Sequence, residues 1–353
     1  MSDLPALARF GGLLATGLRD VTSDPAALDS AGFWAVVADF EGRVTCARFA
    51  DVRREGRPAP GRWRGPAAAG WTSSLDRAAY TDGVRRIRDR VAAGEVYQVN
   101  LCRVLSAPLP DPADPAATDA DALTALLARG NPAPYAGTVR LPAHGVEIAT
   151  ASPELFLRRS GRTVESGPIK GTGREAADLT AKDRAENVMI VDLVRNDLGR
   201  VCATGSVTVP ALCAVEHHPG LVHYVSTVRG ELAPGAGWPD LLAAAFPPGS
   251  VTGAPKSSAL RVIAGLEPVP RGPYCGAVGW VDADRGTGAL AVAIRTFWID
   301  RAAPGGPRLC LGTGAGITWG SDPGREWDET ELKAARLLRV ASQAHLTTGG
   351  TPR

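Results

Sequence analysis

The amino-acid sequence predicts an α+β protein. Strand-like and helix-like runs interleave along its 353 residues without the even β-α-β spacing of a parallel sheet. The composition, 44% hydrophobic and 22% charged, is that of a chain with a sizeable core. No apolar run is long enough to span a bilayer. A net charge of +2, with the basic residues scattered, offers no field for nucleic acid. Met1–Phe10 lacks the charged-then-apolar pattern of a signal peptide. The six cysteines form no C-x-x-C pair and sit mostly in apolar runs, which points to reduced core thiols in a cytoplasmic protein.

Taken in order, Phe33–Val37 and Arg43–Phe49 alternate like the arms of a β-hairpin turning at Glu41-Gly42. Residues 56–74 are rich in Gly, Pro and Ala and read as a linker, which divides the chain into a β-rich portion with linker over 1–74, a main unit over 75–345 and a tail over 346–353. A helix capped by Thr81 carries Val84, Ile87 and Val91 on one face and stops at Gly94. Glu95–Leu101 alternates like a strand, 107–122 reads as loop, and Asp121–Arg129 as a short helix. Tyr135–Ile169 holds three strands, with Ser152-Pro153-Glu154 between the second and third. Thr180–Leu198 is a long helix with Val188, Ile190, Val191 and Val194 available for burial; Trp238–Phe246 and Ser257–Leu266 are shorter ones. Strands fill Gly276–Leu311, and the last helix spans Glu326–Ser342.

Only four of the basic residues are lysine (Lys170, Lys182, Lys256 and Lys333), against 35 arginines. Arginine stays protonated in a protein, whereas a desolvated lysine can become a nucleophile. Lys170 lies in Ser166-Gly167-Pro168-Ile169-Lys170-Gly171-Thr172, after a strand at Arg162–Glu165, and reads as projecting from a loop of fixed backbone.

Several constellations can carry chemistry. Glu326, Glu329 and Lys333 share one stripe of the last helix. An exposed Glu–Lys pair is the common structural reading, but two carboxylates one turn apart also suit Mg²⁺. Asp183 and Glu186 are likewise one turn apart, at a helix start where acidic residues are expected from the dipole alone. Gly312–Gly316 follows a strand, yet no helix can open at Ile317-Thr318-Trp319-Gly320, which excludes a dinucleotide loop. Glycines that let backbone N–H groups approach a carboxylate fit better, and Arg295 has the two-pronged geometry for the same anion. Lys256 follows Gly253-Ala254-Pro255 without Walker spacing. His223 lies in an apolar strand, and His217-His218 lacks partners at ligand spacing. No Ser or Cys occupies a nucleophile elbow.

Together these stretches resemble the chorismate-utilising enzymes, and within them the component I subfamily of aminodeoxychorismate synthase. The resemblance runs from about Tyr80 to Leu338 through Glu95–Leu101, Ser152–Glu154, Pro168–Thr172, Asp183–Asp197, His223–Ser226, Gly249–Lys256, Gly272–Gly276, Ile294–Thr296 and Glu326–Glu329. It implies an α+β fold of large stacked β-sheets flanked by helices, with 75–345 as the chorismate-binding catalytic domain and a short front portion. It also implies a Mg²⁺ cage of Glu186, Glu326 and Glu329 with Asp183 beside it. Arg295, Tyr274 and the backbone of Gly314 and Gly316 match the clamp on the enolpyruvyl carboxylate, and Lys333 a further carboxylate contact. Glu154 matches the general acid that protonates the departing C4 hydroxyl, with His223 and Thr252 in the catalytic set.

Three positions divide the subfamilies. Members that add water carry Lys where this chain has Gln98. Anthranilate synthases resemble it at Gln98 and His223 but carry Ala in place of Lys170, while Thr252 fits both amine-using groups. The resemblance thus implies that Lys170 bonds to C2 of chorismate before ammonia, delivered by a glutamine amidotransferase partner, adds at C4. The product, 4-amino-4-deoxychorismate, leads towards p-aminobenzoate and folate. That route requires a dry site that lowers the pKa of Lys170 and raises that of Glu154. An anthranilate synthase component I is the alternative. The tryptophan-sensing Leu-Leu-Glu-Ser signature is absent, and the family's Arg-Pro-Arg reads Gly173-Arg174-Glu175.

Overall fold

A computed structural model describes residues 4–56, 63–110, 115–173, 175–218 and 221–342. Strands β1 (Leu7–Phe10) and β2 (Leu13–Thr22) precede the expected hairpin, β3 (Phe33–Ala38) and β4 (Val44–Arg54). Gly42 stands at φ +93° in its turn, where a side chain would be strained. Then come β5 (Thr72–Ser73), α1 (Arg77–Ala92), β6 (Gln98–Pro108), α2 (Ala120–Gly130) and β7 (Tyr135–Leu141). β8 (Val146–Ser152), β9 (Leu155–Ser160), β10 (Thr163–Gly167) and β11 (Ile169–Gly173) lead to α3 (Ala181–Gly199). β12 (Thr208–His218), β13 (Leu221–Glu231), α4 (Trp238–Ala245), β14 (Gly253–Ala254) and α5 (Lys256–Leu266) follow. The last elements are β15 (Ala277–Asp282), β16 (Thr287–Val292), β17 (Thr296–Asp300), β18 (Arg308–Ile317) and α6 (Pro323–Ala341).

The α+β expectation holds, and every strand pairing among the described residues is antiparallel. Neighbours run β12-β13-β10-β9-β16-β15-β3-β4-β2-β1-β7-β8-β17-β18-β6. β11 also lies on β13, and β5 and β14 lie on β6. This ribbon curls until its ends meet at the segment after α4. From one end, Lys170 of β11 donates to the Ser250 carbonyl at 3.2 Å; from the other, Asn100 N–H of β6 donates to the Thr252 carbonyl at 2.9 Å.

Three apolar clusters hold the ribbon and its helices. One joins Tyr80, Val84 and Ile87 of α1 to Leu101, Val191 and Trp238. A second seats Leu123 and Leu127 of α2 and Leu337 of α6 on Phe297 and Leu311. The third packs Phe10, Phe33, Phe49 and Ile148 between the N-terminal strands and β8.

Several local expectations change. Strands β1–β5 do not stand apart from the rest, because β1 pairs with β7, β3 with β15 and β5 with β6. The described part of the expected linker is anchored: Trp63 is 2% exposed and its indole N–H donates to the Ala341 carbonyl at 2.7 Å. Helix α1 starts five residues' worth of chain earlier than Thr81 implied, since the Asp76 carboxylate accepts from Ala79 N–H at 2.8 Å and makes the better cap. Lys170 sits on a strand, paired opposite Tyr224, where a loop was expected. Val188 is exposed, while Ile190 and Val191 are buried. Arg174 and the tail over 346–353 lie outside the described residues.

Candidate active site

Helices α3 and α6 build one wall. Thr180 caps α3, and Asp183 returns the bond: its Oδ2 accepts from Thr180 N–H at 2.9 Å and from the hydroxyl at 2.7 Å. The Asp183 carboxylate is thereby turned into the helix cap. Glu186, one turn on, faces α6, and Lys182 Nζ stands 3.7 Å from Glu186 Oε1 and 3.6 Å from Glu326 Oε1. Burial lowers the Lys182 pKa, but Glu326, Glu186 and Glu329 outweigh it and hold it above its ordinary value. One carboxylate from each helix therefore flanks the same cation, and Glu329 acts on it from further off.

The same wall shows how unevenly these groups ionise. Burial raises the Glu326 pKa, Glu329 adds repulsion, and Ser321, Lys182 and Lys333 oppose the rise. Burial also raises Glu329, yet Lys333 at 2.7 Å, with Lys182 and Lys170 further off, brings it below the usual carboxylate range. Among the described residues no three acidic, His or Cys groups converge at metal distances as they stand. The all-oxygen donor set of Glu186, Glu326 and Glu329, already balanced around an ammonium, fits a hard divalent cation such as Mg²⁺.

The facing wall is the far end of β6 and β18. Gly314 lies opposite Cys102 and Gly316 opposite Asn100. Cys102 N–H bonds Glu267 and Asn100 N–H bonds Thr252, so both amides point away from β18. Residues opposite such amides turn their own N–H groups outward too. Gly314 confirms the direction, since its carbonyl accepts from Lys333 Nζ at 3.0 Å. The two glycines thus offer N–H groups at an open strand edge.

Gln98, 0% exposed, lies against Gly316, and neither its amide nitrogen nor its oxygen has a hydrogen-bond partner among the described residues. A buried amide without partners is costly, and such groups mark ligand positions. The Tyr274 ring packs on Gly312, where a methyl group would come within 2.0 Å, and burial raises its phenol pKa well above the ordinary value. Arg295 stands at φ +50°, strained for a residue with a side chain. Its pKa is lowered by burial and then by Arg336; no acidic group among the described residues acts on it.

Lys170 and Glu154 meet at the Ser250 segment. Glu154 is 3% exposed, and burial pushes its carboxyl up to about 7 against the Ser250 hydroxyl, the Lys170 charge and the Ile169 N–H. Lys170 is half-buried and is felt by both Glu154 and Glu329. His223 Nδ1 lies 2.9 Å from the Gly171 carbonyl, next to Lys170. Thr252 is fully buried and donates its hydroxyl to the Pro248 carbonyl at 2.7 Å.

Three contributors escaped the sequence reading. Ser250 serves Lys170 with its carbonyl and Glu154 with its hydroxyl. Lys182 belongs to the acidic wall, and its rarity was the available signal. Arg271, 1% exposed, ties Glu267 to the Val251 and Asn100 carbonyls at 2.9 and 2.8 Å, and so fixes the segment where the ribbon ends meet.

Comparison with known proteins agrees with this geometry. Residues 47–339 match the family model described as chorismate binding enzyme. Aminodeoxychorismate synthase component 1 of Salmonella typhimurium is 35% identical over 94% of this chain and 73% of its own length. Anthranilate synthase component 1 of Streptomyces coelicolor is 41% identical over 81% of this chain, which spans only 58% of that relative. In fold, the menaquinone-specific isochorismate synthase of Escherichia coli superposes with a TM-score of 0.80 at 20% identity, covering 96% of this chain and 89% of the other. No helix among the described residues is long and apolar enough to cross a membrane. The family match takes in both walls of the cleft, from β6 to α6, and the chain belongs to the chorismate binding enzymes.

Proposed function

We propose that the protein is component I of an aminodeoxychorismate synthase, converting chorismate and ammonia to 4-amino-4-deoxychorismate. The observation that carries this reading is the position of Lys170, between a buried carboxyl with a pKa of about 7 and the acidic wall. The Lys170 amine bonds to C2 of the ring as the double bond shifts and the C4–O bond breaks. Glu154 gives its proton to the leaving oxygen, which departs as water. Ammonia then bonds to C4, the double bond shifts back, and Lys170 is released as the free amine.

The remaining residues bind and orient. Arg295 and the N–H groups of Gly314 and Gly316 receive the enolpyruvyl carboxylate, beside Tyr274 and Lys333. Gln98 supplies the amide that has no partner among the described residues. Glu186, Glu326 and Glu329 would hold Mg²⁺, which supplies neutralisation of the ring carboxylate when bound. Ammonia would come from a glutamine amidotransferase partner, and the product would lead through a separate lyase to p-aminobenzoate and folate.

The second reading, an anthranilate synthase component I, draws support from relatives of that name at 37–41% identity. One assay separates the two: chorismate, Mg²⁺ and ammonium salt at mildly basic pH, with the product identified by mass. The expected product retains the pyruvyl group, and EDTA abolishes its formation. Lys170→Ala should remove it too. Pyruvate release with an anthranilate product overturns the first reading.

A further inference from the structure

Behind Glu154 lies a second space, with Glu154, Ser166, Asp197 and Ser250 as its polar walls and Val194 and Leu198 among its apolar ones. None of Lys170, Gln98, His223, Arg295 or the three cage glutamates lines it, so it is not the cleft. Its room for a water-sized sphere amounts to about 20 Å³, more than the roughly 10–15 Å³ that one water needs. The Ser166 side chain is 4% exposed and makes no hydrogen bond to the described residues. Asp197, 5% exposed, accepts from Lys256 Nζ at 2.8 Å. Lys256 also donates to the Ala245 carbonyl at 2.9 Å, and its side chain is 21% exposed. A line of polar groups therefore runs from the buried Glu154 to solvent on the side away from the substrate.

We infer that this space holds one water that passes protons to Glu154 from the Asp197–Lys256 pair, making Asp197 a positioning residue of a proton relay. The inference rests on the reading of Glu154 as general acid. Glu154 loses its proton when the C4–O bond breaks and regains one before the next turnover. While the ring fills the cleft, the open way back is through the cavity. In one concerted shift the Lys256 ammonium gives a proton to the Asp197 carboxylate, Asp197 passes one to the water and the water gives one to Glu154; Lys256 then recovers its own from solvent. Over the cycle, the proton that leaves with the C4 oxygen is balanced by the one released as ammonia becomes the C4 amine. The charged groups acting on this path are Lys170 at the Glu154 end, and Lys256 and Arg200 at the Asp197 end.

Five variants test it with chorismate, Mg²⁺ and ammonium salt: Ser166→Ala, Val194→Leu, Asp197→Asn, Asp197→Glu and Glu154→Gln. Ser166→Ala removes a bond to the water, and Val194→Leu fills its place without touching a charge. Both should keep the melting temperature and KM for chorismate but lower kcat about tenfold, a part of the 10²–10⁴ that a general acid contributes. Both should also enlarge the solvent deuterium isotope effect on kcat. Asp197→Asn should lower kcat alike, with partial rescue in Asp197→Glu. If Ser166→Ala and Val194→Leu leave kcat and the isotope effect unchanged while Glu154→Gln is inactive, the relay is wrong and the general acid stands. A fully active Glu154→Gln overturns the acid role itself, and the relay with it.

Discussion

The Gln98 side chain reaches diagonally across the β6–β18 ladder to Gly316, so close that a methyl group on Gly316 would lie 2.6 Å from the Gln98 amide nitrogen. Gly316 leaves the room this side chain takes, and its buried amide makes no hydrogen bond to the described residues. Gln98→Leu keeps the volume and removes the polar atoms. Unfolding in urea should show a gain of about 1–3 kcal/mol, the usual cost of an unsatisfied buried group. Turnover of chorismate should fall by about tenfold or more, since the bond to the ligand is lost as well. A less stable variant with normal turnover would mean that the amide serves the fold.

The Glu154 carboxyl, raised from 4.5 to about 7 by burial, sets a pH dependence of both activity and stability. A general acid works protonated, so at constant unprotonated ammonia kcat/KM should decline as pH rises through about 7. The fold holds this proton more tightly than the unfolded chain does. Its contribution is complete below 4.5 and is lost as pH rises through about 7. Glu154→Gln should therefore gain stability relative to the wild type between pH 5 and 8, while losing activity throughout. Urea unfolding at the two pH values checks the first point, and rate profiles the second.

Arg295 carries a partly buried guanidinium on which no acidic group among the described residues acts. Its partner is to be sought in the substrate. Arg295→Lys retains the charge and loses the fork. KM for chorismate should rise roughly 10- to 100-fold, as expected for charge-assisted bonds worth about 1.5–3 kcal/mol. The melting temperature should hardly move. An unchanged KM would remove Arg295 from the clamp.

Arg271 carries the opposite signature, because all its bonds lie inside the protein. It also lies over the Phe40 ring at 4.2 Å. Arg271→Met leaves Glu267 buried without its partner, which should cost about 3–5 kcal/mol in urea unfolding. Adding Glu267→Leu should recover part of that loss. Recovery in the double variant separates the unpaired charge from simple loss of packing.

What the sequence made legible was mostly local. Stops and alternation mark the β3–β4 hairpin, the Gly94 stop at φ +76° and the span of α3, whereas the cap read at Thr81 lies at Asp76. The scarcity of lysine also pointed inward. Lys170 touches Ser250, Lys182 joins the acidic wall, Lys333 holds Glu329 and the Gly314 carbonyl, and Lys256 pairs with Asp197. The i,i+4 spacing of Lys182 and Glu186 concealed the first of these helix pairings, because an ordinary surface pair has the same spacing. Asp183 was open to two readings, and Thr180-x-x-Asp183 already contained the capping box that the structure forms. Strand partnership was hidden. Nothing in the alternation of Leu7–Phe10 says that it will lie on Tyr135–Leu141, or that Lys170 will be opposite Tyr224. Such pairs are chosen by the closure of the whole ribbon.

That closure has a mechanical side. A molecule bonded at once to Lys170 and to the Gly314 edge would join the first and last parts of one girdle, as a buckle joins a belt. Tightening at the buckle reaches every link, and β3 and β15, midway round and far from any reacting atom, should exchange their amide hydrogens more slowly when the buckle is fastened.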